Sequence, residues 1–171
     1  MLHKLINIRS LSPSAYVLRL EKKDISFKAG QCFNLGIKGS GVNREYSIYS
    51  GENDPYLEFL IKEVQGGTVS PVLRNVQTGE EVELYGPYGS FTIDPNQINQ
   101  GRFLFIGTGT GIAPFHSFVY SYPHLDHQII LGIRTLSEQY DLIDYDVSKV
   151  VCCVSRERWK GFNGRVTSYL K

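Results

Sequence analysis

Gly107-Thr108-Gly109-Thr110-Gly111-Ile112-Ala113-Pro114 sets three glycines at alternate positions ahead of a proline. It follows a short apolar run, Phe103-Leu104-Phe105-Ile106. It precedes Phe115-His116-Ser117-Phe118-Val119-Tyr120, which reads as the start of a helix. Strand, glycine-rich turn and helix form the local arrangement that holds a pyrophosphate. The glycines let backbone approach the anion, and the free N–H groups and dipole of the helix start attract it. The spacing is G-x-G-x-G and not G-x-G-x-x-G, so the ordinary dinucleotide fingerprint is not met. A plain tight connection has the same composition, because Gly is the default residue of strained turns. The flanking sequence has to decide between the two.

Upstream, residues 4–9 and 15–20 alternate apolar and polar side chains around Ser12-Pro13-Ser14, as two antiparallel strands do. Further short strands read at 31–37, 44–49, 57–64 and 81–85, separated by Gly39-Ser40-Gly41, Asn53-Asp54-Pro55 and Thr78-Gly79-Glu80. A short helical segment opens at Gly66-Gly67-Thr68 and runs to about Leu73. Six such strands with one short helix predict a six-stranded antiparallel Greek-key β-barrel over residues 1–95. A polar, turn-rich linker covers 96–101. Beyond it the pattern changes. Apolar strands at 103–106, 128–133 and 150–155 alternate with segments that are helical at 114–121, partly helical at 136–145 and helical at 164–170. Continuous apolar strands between helices predict an α/β parallel-sheet nucleotide-binding domain over 102–171.

Composition is compatible with this division. The chain of 171 residues has eleven tyrosines and nine phenylalanines, which favour strand-rich structure. Its formal net charge of +1 points to no polyanion, so no nucleic-acid partner is expected. Cys32, Cys152 and Cys153 read as buried, reduced thiols of a cytoplasmic protein. Nothing has the spacing of a zinc or iron–sulfur site, and no metal is expected. No apolar run approaches the about 20 residues of a membrane span, so no membrane insertion is expected. His124 and His127, flanking Asp126, read as surface loop residues, and Trp159 as a loop residue placed either to cover adenine or to pack.

Two further constellations carry chemistry. In Arg44-Glu45-Tyr46-Ser47 a strand turns Arg44 and Tyr46 to one face and Glu45 and Ser47 to the other. A guanidinium pairs well with phosphate, and a Tyr ring offers a flat apolar face. Gly66-Gly67-Thr68-Val69-Ser70 sets two glycines and two hydroxyls at a helix start, which suits either an anion or simple N-capping by Thr68 or Ser70.

R-x-Y-S, then G-G-x-x-S about twenty residues on, then G-P-x-G, then G-T-G-T-G-I-A-P: in this order the motifs resemble the ferredoxin–NADP reductase family. These flavoprotein reductases pair an FAD-binding barrel with a nucleotide-binding domain. The resemblance implies roles position by position. Arg44 would pair with the FAD pyrophosphate, with Glu45 beside it. Tyr46 would stack on the isoalloxazine ring, and Ser47 would lie near flavin N5, making Ser47 and Tyr46 the catalytic pair. The backbone of Leu60, Ile61 and Lys62 would follow the flavin's ribityl or adenosine part. Gly67, Thr68, Val69 and Ser70 would hold the pyrophosphate. Gly107, Thr108, Gly109, Thr110 and Gly111 would receive the pyrophosphate of the nicotinamide nucleotide, with Thr110 between the two cofactors.

The nucleotide reads as NADPH before NADH. The second strand of the second domain ends in Gly132-Ile133-Arg134, without the acidic residue that accepts from a ribose 2′-OH. Ser155-Arg156-Glu157-Arg158 ends the third strand, and Gly164-Arg165 follows. Arg134, Ser155, Arg156 and Arg165 suit a 2′-phosphate, and the resemblance associates the S-R-E and G-R elements with NADP.

The resemblance also predicts a continuation that this sequence lacks: a strand bearing Cys-Gly-x-Pro, another helix and a last strand. About three of five strands are therefore expected in the second domain, with an apolar sheet edge left open. A fragment, a natural short form, or another chain covering that edge are the three readings. The implied function is electron transfer between NADPH and a ferredoxin or flavodoxin through bound FAD. The alternatives are a flavin reductase or the reductase component of an oxygenase, and a flavin-binding module without turnover of its own.

Overall fold

A computed structural model describes residues 1–171. The chain forms two compact units. One comprises Met1–Ile93 and Ala113–Ser121, the other Asp94–Ile112 and Tyr122–Lys171.

The first unit is built on β1 (Leu2–Ser12), β2 (Ala15–Glu21), β3 (Cys32–Ile37), β4 (Asn43–Ser47), β5 (Tyr56–Lys62) and β6 (Glu81–Tyr88). The strands lie in the order β4-β3-β6-β1-β2-β5, all antiparallel. An antiparallel bridge between Ile48 and Phe59 brings the two end strands together and nearly closes the barrel. The expected six-stranded barrel is present.

Alternating apolar residues supply its interior. Leu18, Leu20, Phe33, Leu35, Phe59 and Ile61 are fully buried. Phe33 stands edge-on to Phe27 and Phe59, at centroid distances of 6.2 and 5.7 Å. Each such side chain contributes about 1.5–3 kcal/mol by leaving water. The short helix α1 (Ser70–Arg74) plugs in through buried Leu73. The buried Tyr16 hydroxyl donates to Ser70 O at 2.6 Å and pins the helix start to β2.

Helix α2 (Ala113–Ser121) groups by contact with the barrel, whereas the sequence pattern assigns it to the second domain. The reason is a set of specific anchors. The His116 ring stacks on Tyr49 at 3.7 Å, and its Nδ1 lies 2.7 Å from Tyr49 O. Ser117 Oγ donates to Ser50 O at 2.7 Å, and Ser121 Oγ accepts from Glu52 N–H at 2.9 Å. Gly30 lets the helix approach: a Cβ there would lie 2.6 Å from Phe118 Cζ, and its φ is +87°.

The second unit holds β7 (Arg102–Thr108), β8 (Asp126–Ile133), β9 (Val150–Val154) and β10 (Phe162–Asn163). They form a parallel sheet in the order β10-β9-β8-β7. Three strands were expected, and the fourth is β10. It is two residues long, too short to leave a periodicity. The stretch 136–145, expected to be partly helical, holds two 3-10 turns, Leu136–Glu138 and Leu142–Asp144, and the last helix, α3, spans only Val166–Tyr169. Gly132 lets α3 sit on β8, since a Cβ there would be 2.6 Å from Val166 Cγ2.

β7 is an end strand. Phe105 is buried, while Leu104 and Ile106 on the opposite face are 54% and 44% exposed. His127 departs from its expected surface position. It lies in β8, buried, with Nδ1 2.8 Å from Leu125 O and no partner for Nε2. No helix is long and apolar enough to cross a membrane.

Candidate functional site

In the barrel unit, β4 carries Arg44, Glu45, Tyr46 and Ser47 opposite Leu35, Asn34, Phe33 and Cys32 of β3. Tyr46 is half-buried against the barrel core, and burial pushes its phenol up from the ordinary value. Arg44 is exposed. Its guanidinium donates to the carbonyl of its neighbour Asn43 at 2.7 Å and forms no ion pair. Ser47 is half-buried, and its hydroxyl has no hydrogen-bond partner within the chain. A guanidinium without an ion pair, a shielded ring and an unengaged hydroxyl thus share one short strand. Glu45 is exposed and lies by Cys32, whose thiol is pushed up by burial and by that carboxylate. Cys32 is half-buried, unlike Cys152 and Cys153; all three thiols are free.

Ile61 packs into the barrel core, and Leu60, on the opposite face of β5, is also buried. Their backbone sits on an end strand, and past the Phe59 bridge β5 has no strand partner on its outer edge. Lys62 follows, half-buried.

The Gly66-Gly67 turn comes next. Gly66 takes φ +73° with open space around it. Gly67 N–H donates to Val64 O at 2.8 Å, and a Cβ on Gly67 would lie 2.9 Å from that oxygen. Thr68 is exposed and Val69 buried. Neither Thr68 nor Ser70 caps α1: the N-cap position is Val69, without a side-chain bond. Ser70 Oγ accepts instead from Val64 N–H at 3.0 Å, which fixes the turn.

In the second unit Gly107 and Thr108 finish β7, opposite Leu131 and Gly132. A 3-10 turn, Gly109–Ile112, follows. Gly109 takes φ +52°, a conformation that L side chains resist. Gly111 does not, yet a Cβ at either position would meet no atom within 4 Å. The turn is therefore open on its outer side, the cradle a phosphate group requires, and Thr110 is half-buried between the two glycines.

A pocket of about 360 Å³ lies at the β9 end, lined in part by Ser155, Arg156, Glu157, Arg158, Asn163 and Gly164. Ser155 and Arg156 are thus brought together. Arg134 joins them through the backbone, since Arg156 N–H donates to Arg134 O at 2.9 Å. Arg165 follows Gly164 as the N-cap residue of α3 and does not line the pocket. The guanidinium groups of Arg134, Arg156, Arg158 and Arg165 form no hydrogen bond or ion pair within the chain. Trp159 is committed to its own loop, with Nε1 donating to Phe162 O at 2.9 Å and its ring against Gly161. The sequence gives Glu138 no role and marks Glu157 only as the last residue of the S-R-E element. Each accepts a backbone N–H in the 134–138 loop, Glu138 from four residues away and Glu157 from twenty-one.

A sequence profile described as the oxidoreductase FAD-binding domain matches residues 3–93. The chain belongs to that family, the flavoprotein reductases of the ferredoxin–NADP reductase type. Ferredoxin–NADP reductase B of Sorangium cellulosum (strain So ce56) is 35% identical over 122 residues, 68% of this chain and 49% of that protein. The toluate 1,2-dioxygenase electron transfer component of Pseudomonas putida is 30% identical over 182 aligned positions, 96% of this chain and 53% of that protein. Among solved structures, the ferredoxin reductase in carbazole 1,9a-dioxygenase superposes with a TM-score of 0.84 at 27% identity, covering 99% of this chain and 55% of that one. The chain spans about half the length of these relatives.

Proposed function

We propose that the chain is an FAD-dependent oxidoreductase that moves electrons between NADPH and a small one-electron carrier, a ferredoxin or flavodoxin, in the cytoplasm. FAD, when bound, supplies the exchange between hydride and single electrons. The observation that carries the reading is the unpaired Arg44 beside half-buried Tyr46 and unengaged Ser47, inside the matched FAD-binding domain.

The chain's residues bind and orient. Arg44 neutralises the FAD pyrophosphate, Tyr46 covers the isoalloxazine face, and the Ser47 hydroxyl serves N5. Glu45 stands beside them. The open backbone edge of Leu60, Ile61 and Lys62 accompanies the flavin's extended part. Gly67, Thr68, Val69 and Ser70 would contribute the turn at its phosphates. Gly107, Thr108, Gly109, Thr110 and Gly111 take the pyrophosphate of NADPH, while Arg134, Ser155, Arg156 and Arg165 serve its 2′-phosphate. No side-chain acid–base pair is assigned.

A second reading, the reductase component of an oxygenase, is favoured by the relative of that kind aligned over 96% of this chain. Flavin reductase activity is its simplest variant. The test is reconstitution of the purified chain with FAD, followed by turnover with NADPH. A chain that retains no flavin absorbance after gel filtration sinks every reading. A flavin-loaded chain that reduces ferredoxin or flavodoxin supports the first. Reduction of free flavin alone, or of an oxygenase partner alone, supports the second. FAD retained with no turnover leaves a flavin-binding module.

A further inference from the structure

The loops that carry Arg134 and Arg156 are laced together. Ser155 N–H donates to Ile133 O at 3.1 Å, and Arg156 N–H to Arg134 O at 2.9 Å. Two carboxylates complete the lacing. Buried Glu138 accepts from Arg134 N–H at 2.9 Å through Oε2. Glu157 reaches across from the β9 side and accepts from Leu136 N–H through Oε1. Glu157 is flanked in sequence by Arg156 and Arg158, yet it pairs with neither. A carboxylate among guanidinium groups ordinarily neutralises one of them. Here it is engaged by a backbone amide, and the arginines keep their charge unpaired.

We infer that Glu157 is a positioning residue for nucleotide discrimination: by holding Leu136 N–H it fixes the 134–138 loop against the 155–157 loop and presents Arg134 and Arg156 to a 2′-phosphate. The inference rests on the 2′-phosphate reading proposed above. Glu157 itself does not touch the phosphate. Simple electrostatics predicts the opposite sign, because removing a negative charge beside an anion site strengthens anion binding. The two accounts therefore separate in one measurement.

The experiment is calorimetric titration of the FAD-loaded full chain with adenosine 2′,5′-bisphosphate and with 5′-AMP. Glu157→Ala is expected to weaken the bisphosphate about fivefold to tenfold, within the range of one ordinary lost hydrogen bond because Glu157 acts through the loop and not on the phosphate, and to leave 5′-AMP within about twofold. Glu157→Gln keeps a carbonyl acceptor for Leu136 N–H and is expected to stay within about twofold of wild type for both probes. Leu136→Pro removes the donor and is expected to reproduce the Glu157→Ala loss. Glu157 is exposed, so these changes leave the core intact. Glu157→Ala binding the bisphosphate as tightly as wild type, or more tightly, overturns the inference. So does an equal loss in Glu157→Gln. A wild-type chain with equal affinity for the two probes overturns the 2′-phosphate reading and the inference with it. A wild-type preference that survives Glu157→Ala overturns the inference alone.

Discussion

Replacing Gly111 by valine should separate nucleotide binding from folding. A Cβ at Gly111 would meet no atom within 4 Å, and the residue's φ lies outside the left-handed region. The empty protein therefore has open space where the side chain begins at this exposed position, and its stability should change by only about 0.5 kcal/mol, as for an ordinary surface substitution. A bound pyrophosphate would need the same space. Pushing it away loses hydrogen bonds between backbone N–H groups and a charged oxygen, at about 1.5–3 kcal/mol each. Two such losses amount to about 3–6 kcal/mol, or about two to four orders of magnitude in affinity. The assay is the KM for NADPH of the FAD-loaded chain beside its thermal midpoint. The expected result is a KM raised at least about a hundredfold with the midpoint and flavin spectrum unchanged. Gly109→Val is the contrasting variant, because φ +52° adds strain of about 1–2 kcal/mol and lowers the midpoint as well. A Gly111→Val enzyme whose NADPH KM stays within about threefold of wild type would refute the reasoning.

Three further outcomes follow from other residues. Arg134→Ala or Arg156→Ala should raise the KM for NADPH by about tenfold or more, the loss of one charge-assisted contact, and barely move that for NADH; equal effects on both would remove the 2′-phosphate argument. Tyr16→Phe leaves the buried Ser70 carbonyl without its 2.6 Å donor and should cost about 1–3 kcal/mol in a denaturant titration, with weaker FAD retention as α1 loosens. His3 is buried, and desolvation holds its imidazole below the ordinary value, against the backbone bond to Glu21 O; its Nε2 has no partner. The unfolded chain then binds the extra proton more readily, so stability is full above the unfolded value of about 6.5 and falls as pH drops below it. Unfolding titrations should show that fall in wild type and a smaller one in His3→Gln; an equal fall would clear His3.

The parts legible in sequence are those that local pattern encodes. The residues read as alternating, 4–9 and 15–20, fall in β1 and β2, although Ala15 to Leu18 of β2 are all buried, and the apolar run before Gly107 falls in β7. Gly109 and Gly111 were readable because backbone conformation and side-chain volume are properties of the glycine itself. What escaped depends on partners far along the chain. His116 and Tyr49 are separated by 67 positions, and nothing local tells that α2 fastens to the barrel by their stacking and by Ser117. His127 read as surface from its polar neighbours, but β8 begins at Asp126 and turns it inward beneath Phe105. Ser70 looked like a cap, but its hydroxyl closes the Gly66-Gly67 turn, because Val64 N–H comes within reach once β5 has ended.

The most direct test of the central proposal is anaerobic addition of NADPH to the FAD-loaded 171-residue chain, followed in the visible flavin band. The account predicts stoichiometric FAD, bleached by one equivalent of NADPH and much more slowly by the same amount of NADH. A chain that holds FAD in its barrel while NADPH leaves the band unchanged would contradict it.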